Sequence, residues 1–136
     1  MGKRKKSFVL FAITISILIL ELLPCGAVLE FAHMSPELTL GYYEEHFSYF
    51  DPIVYGYGHF GPLLTAVSTC ILAVFAVVAL FLEGRAVRIA LFVVSGLTLL
   101  FSLTPLLTGC YSLVGGAISA LLLVTCIISL KKEDPI

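Results

Sequence analysis

The positively charged residues of this chain are confined to three short clusters that alternate with long apolar segments. The eight Lys and Arg residues are residues 3–6, Arg85, Arg88, Lys131 and Lys132. The four apolar segments are residues 7–23, 60–82, 86–107 and 110–130. The long connection 24–59 has no Lys or Arg. Because cytoplasmic loops of membrane proteins carry an excess of these residues, the pattern predicts an all-α integral membrane protein. Its four transmembrane helices would form an antiparallel bundle with one long outer loop and both termini in the cytoplasm.

The composition favours a single membrane domain over a soluble one. The chain has 136 residues, of which 60% are apolar and 12% are charged, whereas about a quarter of a soluble domain is charged. Each of the last three segments is long enough, at about 1.5 Å per residue, to cross a hydrocarbon core of roughly 30 Å. We expect a multi-pass protein of the plasma membrane that contacts the lipid bilayer. Nucleic-acid binding is not expected, because the basic clusters are short and lack interleaved aromatic residues.

The first apolar segment has two interpretations. A basic start followed by an apolar run also describes a secretory signal peptide, and Cys25-Gly26-Ala27 resembles a cleavage site. The run exceeds the usual 7–15 residues of a signal core, which favours a retained helix. Continuation of this helix past Pro24 over residues 27–29 would make the span comfortably long. Cleavage would leave three spans. Glu21 lies near the outer end of this segment. We expect its side chain to reach the membrane interface, with pairing to a loop donor or a functional role as alternatives.

Small residues on the fourth segment predict close helix packing. Ser112, Gly116 and Ala120 recur every four residues, and Gly115 and Ser119 form an adjacent ridge. Membrane helices associate through such small-residue faces. Packing within one bundle is the favoured interpretation, and an interface with a second copy or a membrane-protein partner is the alternative.

The outer loop contains the residues with recognisable chemistry. Ser35-Pro36-Glu37 is typical of a helix start, so a short helix is expected there, ending at Gly41. All three histidines of the chain lie in this loop with five acids, and imidazole with carboxylate is a ligand set for divalent metals. The weak hypothesis is a Zn²⁺ site formed by His33, His46 and His59 with Glu37 or Asp51. Solvated interfacial histidines without a cofactor are favoured over it.

The cysteines suggest one disulfide candidate. Cys25 follows the first segment and Cys110 opens the fourth, so both are expected at the outer surface. A bond between them is possible in an oxidising exterior, with two free thiols as the alternative. Cys70 and Cys126 fall within segments and are expected to behave as small apolar residues. The absence of a Cys-x-x-Cys motif argues against a thiol oxidoreductase.

The plan of a short N-terminus, a long first outer loop and short later loops resembles that of claudin-type tetraspan proteins. The resemblance is one of topology. The first loop of that family carries a Gly-Leu-Trp motif and a pair of cysteines, whereas this chain has no Trp and only Cys25 in its loop. It implies nothing about activity.

Three functions are compatible with this sequence. The favoured one is an interaction or regulatory subunit without catalytic activity. The alternative is a small homo-oligomeric transporter or channel component, with a pore lined by Thr65, Ser68, Thr69, Ser95 and Thr98. A metal-binding membrane enzyme ranks last, because no spacing of nucleophile and base supports it.

Overall fold

The structure is a computed structural model that describes residues 3–37, 39–52, 60–82, 84–109 and 111–131. It is mostly helical, with a two-stranded sheet inserted after the first helix. The helices are α1 (Lys3–Leu22), α2 (Gly61–Phe81), α3 (Arg85–Ser102), α4 (Thr104–Thr108) and α5 (Leu113–Leu130). The strands are β1 (Ala27–Met34) and β2 (Leu40–Phe47).

Three helical stretches are long and apolar enough to cross a membrane, judged by length and composition. Within the described residues they are Gly61–Phe81, Arg85–Thr108 and Leu113–Leu130, so three of the four predicted segments form helices suited to a membrane span. The first segment differs because α1 begins with four basic residues and carries Glu21. Its uncharged residues 7–20 would cover about 21 Å at 1.5 Å per residue, which is less than a hydrocarbon core of roughly 30 Å.

The four long helices pack in a ring. α1 packs on α2 and α5, and α3 packs on the same two helices from the opposite side. The apolar core inside this ring is formed by Leu10, Ile17, Ala66, Leu72, Ala76, Leu91, Ile118 and Leu122. The third apolar segment is interrupted at Leu103, and α4 then begins with Pro105 near its start. A break is expected there because proline lacks the N–H that a continuous helix needs.

The two strands of the long connection form a β-hairpin, and two helix predictions are therefore wrong. β1 pairs antiparallel with β2, from Ala27 opposite Phe47 to Met34 opposite Leu40. α1 ends before Pro24, so residues 27–29 continue as strand and not as helix. No helix starts at Ser35, whose side chain instead bonds that of Thr39 at 2.7 Å across the hairpin turn. The β-branched and aromatic residues on both sides of this turn favour strands, and pairing between them overrides the local helix signal.

The bundle has two chemically different ends. At the hairpin end, α1 finishes at Leu22 and α2 begins at Gly61. At the basic end, Lys6 donates a hydrogen bond to the carbonyl of Lys131 at 2.7 Å, so the start of α1 meets the end of α5. Arg85 and Arg88 open α3 at this same end. The cationic residues of three separate sequence clusters are thus gathered at one end of the fold.

Candidate functional site

A buried carboxyl group lies near the hairpin end. Leu10, Thr14, Ile17 and Glu21 are the buried residues of α1, and their spacing places them on the single face that packs inside the bundle. Glu21 is 0% exposed. Its Oε1 accepts a hydrogen bond from the Thr69 hydroxyl at 2.7 Å. The expectation that this side chain reaches the interface is therefore wrong, because helix phase turns it inward onto α2.

The second oxygen of this carboxyl group is unsatisfied. Glu21 Oε2 is buried and has no hydrogen-bond partner among the described residues. The Thr69 hydroxyl is shared as well, since it lies 2.9 Å from the carbonyl oxygen of Thr65. A buried acid is expensive inside a membrane bundle and marks a functional-site hypothesis. Among the described residues, Glu21 is thus a buried ionisable side chain with an unsatisfied oxygen in the bundle interior.

Tyr49 closes the bundle above this carboxyl group. It follows β2, is 1% exposed, and its backbone N–H donates to the carbonyl of Glu21 at 3.0 Å. A Cβ added to Gly26 would lie 2.9 Å from Tyr49 Cδ1, and one added to Gly115 would lie 3.0 Å from the Tyr49 hydroxyl oxygen. The two glycines therefore make room for the ring. Burial raises the pKa of the Tyr49 hydroxyl, and the nearby Glu21 and Tyr111 raise it further, so it stays protonated at neutral pH.

The small residues of the fourth segment have separate roles. Ser112 caps α5 by accepting from the N–H of Gly115 at 2.8 Å, and its hydroxyl donates to the carbonyl of Gly26 in the loop. Ser119 is buried and lies 3.0 Å from the Ser102 hydroxyl of α3. Gly116 lies half-buried near the Tyr111 ring, whereas Ala120 is exposed. Packing inside the bundle thus uses the Gly115 and Ser119 ridge, and Ala120 faces outward.

The hydroxyl groups of the bundle interior are mostly bonded to their own helices. Thr65 donates to the carbonyl of Gly61 at 2.7 Å, and Thr98 donates to that of Val94 at 2.7 Å. Ser95 donates to the carbonyl of Phe92 at 3.1 Å. Such bonds to the helix backbone satisfy the hydrogen-bonding capacity of a hydroxyl group, so its presence does not require a water-filled pore. Of the predicted pore-lining residues, Thr65, Thr69, Ser95 and Thr98 are buried within one chain, and Ser68 is half-buried. Four of the five therefore do not lie on the outside of the bundle.

The structure does not bring the proposed metal ligands together. His33 pairs with Gly41 and His46 with Val28, which puts the two histidines on opposite faces and roughly 16 Å apart at 3.3 Å per residue. Glu37 lies in the hairpin turn, and Asp51 accepts from the N–H of Ser48 at 2.6 Å. Within the described part of the chain, no three His, Cys, Asp or Glu side chains form a metal-binding group. His59 lies outside the described residues, and the Zn²⁺ site stays a prediction.

The cysteines are distributed over three environments. Cys25 is exposed in the turn after α1, Cys70 is exposed on α2, and Cys126 is buried. The Cys126 sulfur lies 3.1 Å from the Ser95 hydroxyl. Cys110 lies outside the described residues, so its bond with Cys25 stays a prediction.

The basic end contains a cavity of about 190 Å³ between the ends of the four long helices. Lys6, Arg85 and Arg88 line it, together with the hydroxyl-bearing Ser7 and Ser129. Leu10 and Leu91 form part of its apolar wall. From the sequence, these basic residues are expected to set membrane orientation, with attraction to anionic lipid headgroups as the alternative. No local signal indicated that helix packing would leave a cavity between them.

Comparisons of this chain with family models, with curated proteins and with solved structures found no match. The functional argument therefore depends on the geometry of the hairpin, the Glu21 region and the basic cavity.

Proposed function

We propose that this protein is a four-span protein of the plasma membrane that acts as a non-catalytic interaction or regulatory subunit, with its β-hairpin docking on a membrane-protein partner outside the cell. The observation that carries the proposal is a hairpin whose outward face is exposed and carries no other element of the described chain. By register, the hairpin outward face consists of Val28, Glu30, Ala32, Met34, Leu40, Tyr42, Glu44 and His46, and all of them except the half-buried Val28 are exposed.

The gathering of basic residues at one end supports the four-span topology. Positively charged residues next to membrane spans remain in the cytoplasm, which puts the basic end inside and the hairpin end outside. α1 is short for a span, but the long basic side chains at its start can reach the interface from within the membrane. Its buried face packs between α2 and α5, and this packing argues for a retained fourth span.

The hairpin has the features of a docking element. A lone two-stranded hairpin is only marginally stable in water, and each strand has one edge without a neighbouring strand in the sheet. Such edges pair readily with an extended segment of another chain. Leu29 at the base of β1 is buried, whereas Met34, Leu40 and Tyr42 toward the turn are exposed. The base thus attaches to the fold, and the tip offers apolar side chains to a partner.

Charge indicates the chemistry of this partner. Glu30 lies directly opposite Glu44 on the hairpin outward face, and like charges in this position destabilise a sheet. The loop 24–59 contains no Lys or Arg that could neutralise them. A basic extended segment of the partner would remove the repulsion and add strand pairing. We therefore assign the hairpin outward face to a partner that presents such a segment.

The buried positions of the interior hydroxyls favour this function over a homo-oligomeric pore. A pore between copies requires polar side chains on the outside of each bundle. Thr65, Thr69 and Thr98 instead point into the core of a single chain and bond to backbone carbonyls.

One observation favours a second candidate, which is proton- or cation-coupled transport. Glu21 Oε2 is buried and lacks a partner in the described part of the chain, and acids in this setting often serve ion pathways. Flux of protons or Na⁺ into liposomes by the pure protein, abolished by Glu21→Gln and kept by Glu37→Gln, would support transport. Absence of flux from a correctly folded wild type would eliminate it.

The docking proposal is tested by affinity purification of the tagged protein from its native membrane in mild detergent. We expect a stoichiometric membrane partner that is recovered by the wild type. The double variant Glu30→Lys/Glu44→Lys should lose this partner, because a basic segment would now be repelled. The matched control is Glu37→Lys, which changes an exposed acid in the hairpin turn.

Both variants must elute and melt like the wild type for the comparison to hold. Recovery of the protein alone as a defined homo-oligomer would overturn the proposal. Retention of the partner by Glu30→Lys/Glu44→Lys would place the contact elsewhere and reject the hairpin as its site.

A further inference from the structure

We propose that the cavity at the basic end is a binding site for the phosphate group of an anionic lipid headgroup. This site is independent of the hairpin and of the proposed partner. The argument combines the shape of the cavity, the charges that line it and the exposed start of α3.

The cavity is walled by several elements and is of headgroup size. Lys6 and Leu10 come from α1, Arg88 and Leu91 from α3, and Ser129 from α5. Its volume of about 190 Å³ is below the ~300–1,000 Å³ of pockets that hold drug-sized ligands. Leu10 and Leu91 are buried core residues, so the cavity is apolar toward the bundle centre and cationic toward its mouth. This polarity matches the boundary between a lipid headgroup and its acyl region.

Three cationic side chains line one small cavity. Lys6, Arg85 and Arg88 meet there although they come from distant parts of the chain, and the described lining contains no acid. Arginine in particular suits phosphate because its planar guanidinium group can donate two parallel hydrogen bonds.

The beginning of α3 adds backbone donors. Its N-cap is Gly84, which is extended and offers no side-chain cap. The first hydrogen bond of the helix runs from Arg88 N–H to the carbonyl of Gly84, so the N–H groups of residues 85–87 have no partner inside the helix. Gly84, Arg85 and Val87 all line the cavity. The start of an 18-residue helix therefore supplies a positive dipole end and backbone donors to an anion.

The placement of the arginines is informative in itself. Positive charge at a helix N-terminus is unfavourable because it faces the positive end of the dipole. Arg85 and Arg88 nevertheless occupy the first turn and the position just after it. Basic residues needed only for orientation could stand on either side of the short connection, whereas an anion in the cavity would make this arrangement favourable. Cytoplasmic basic pockets between membrane helices bind anionic lipid headgroups in this way.

The test uses delipidated full-length protein in mild detergent, with lipid binding followed by native mass spectrometry. The probes are phosphatidylglycerol, phosphatidylcholine and inorganic phosphate. The cavity variant is Arg85→Gln/Arg88→Gln. The matched control is Arg4→Gln/Lys131→Gln, which removes the same charge at the same end from residues that do not line the cavity.

We expect one phosphatidylglycerol bound to the wild type and to the control, with weak binding of phosphatidylcholine. The cavity variant should bind phosphatidylglycerol at least about tenfold more weakly, because charge-assisted hydrogen bonds are lost. If the double variant does not fold, Arg85→Gln alone serves the same purpose, since Arg85 is exposed and its replacement leaves the core intact. This single variant should also weaken the binding.

Two results would overturn the proposal. Equal loss of phosphatidylglycerol from the cavity variant and the control would mean that the lipid responds to the overall charge of the basic end and not to the cavity. Stoichiometric binding of inorganic phosphate that displaces phosphatidylglycerol would reject the lipid as the ligand and assign the cavity to free phosphate.

Discussion

The two ends of the bundle differ in how the chain closes them. At the hairpin end, the long loop folds back and Tyr49 fills the space above Glu21. At the basic end, α2 and α3 are joined by a very short connection, and the described residues leave a cavity between the helices. The hairpin end is thus sealed by the protein itself, whereas the basic end keeps a cavity with three cations. The long connection supplies a side chain that fills one end of the bundle, whereas the short connection leaves space at the other.

The largest effect is expected from opening the sealed end. Tyr49→Ala should lower the free energy of unfolding by about 3–5 kcal/mol, because a large buried ring is lost and a cavity is created above Glu21. The measurement is thermal melting in detergent, followed by size-exclusion chromatography. Tyr42→Ala is the control, since Tyr42 is 70% exposed. A melting temperature of Tyr49→Ala equal to that of Tyr42→Ala would show that the ring does not seal this end.

The contact between α2 and α4 should be the next most sensitive position. A Cβ on Gly61 would lie 1.7 Å from Thr104 Oγ1 and 3.2 Å from the carbonyl oxygen of Phe101. Gly61→Ala should therefore destabilise the protein by about 1–3 kcal/mol through overpacking. Gly96→Ala provides the control, because a Cβ there meets no atom of the described residues within 4 Å and alanine favours a helix. Similar melting of the two variants would contradict this close approach.

A smaller effect is expected when Glu21 loses its donor. Thr69→Val removes the only hydrogen bond found for the Glu21 carboxyl group within the described residues, which should cost about 1–2 kcal/mol. Thr98→Val is the matched control, since among the described residues that buried hydroxyl bonds only to the carbonyl of Val94 in its own helix. If the two valine variants have the same melting temperature, the hydrogen bond from Thr69 to Glu21 does not contribute to stability. The comparison also bears on the interpretation of Glu21 as a functional group. A Glu21 side chain held only by packing would tolerate the loss of the Thr69 hydroxyl.

The smallest effect concerns the hairpin. Glu30→Gln should stabilise it by a few tenths of a kcal/mol, because the repulsion from Glu44 across the strands is relieved. Slower amide hydrogen exchange in residues 27–34 and 40–47 would report this change. Glu37→Gln is the control, since Glu37 lies in the turn and faces no acid across the sheet. Faster exchange in Glu30→Gln would mean that the two carboxylates do not repel each other in the free protein.

Helical segments with strong apolar character could be predicted closely. The second segment was expected at residues 60–82 and is observed as Gly61–Phe81, and the fourth was expected at 110–130 and is observed as Leu113–Leu130. A continuous apolar segment inside a membrane forms a helix, because a helix pairs all of its backbone N–H and C=O groups within the segment. The break near Pro105 was predictable for a similarly local reason, because proline lacks a backbone N–H.

The hairpin and the Glu21 region could not be predicted in this way. Ser35-Pro36-Glu37 carries a helix-start signal, but the strands on either side pair with each other and override it. Glu21 was expected at the interface because a charged side chain is better solvated there. Its position on the inward face of α1 instead directs the side chain toward Thr69. No local sequence pattern distinguishes Tyr49 from the other aromatic residues of the loop. Its burial depends on two glycines, Gly26 and Gly115, that are far apart in sequence.

The sequence by itself determined that this chain contains apolar helices suited to a membrane, because hydropathy and charge are local properties of each segment. It also determined which residues are basic, but not where they meet. Only the tertiary structure decided that a hairpin follows α1, that Tyr49 seals one end, and that Lys6, Arg85 and Arg88 surround a cavity at the other. The physical reason is that pairing, helix phase and the space between helices depend on contacts between distant residues, and no window of sequence contains both partners.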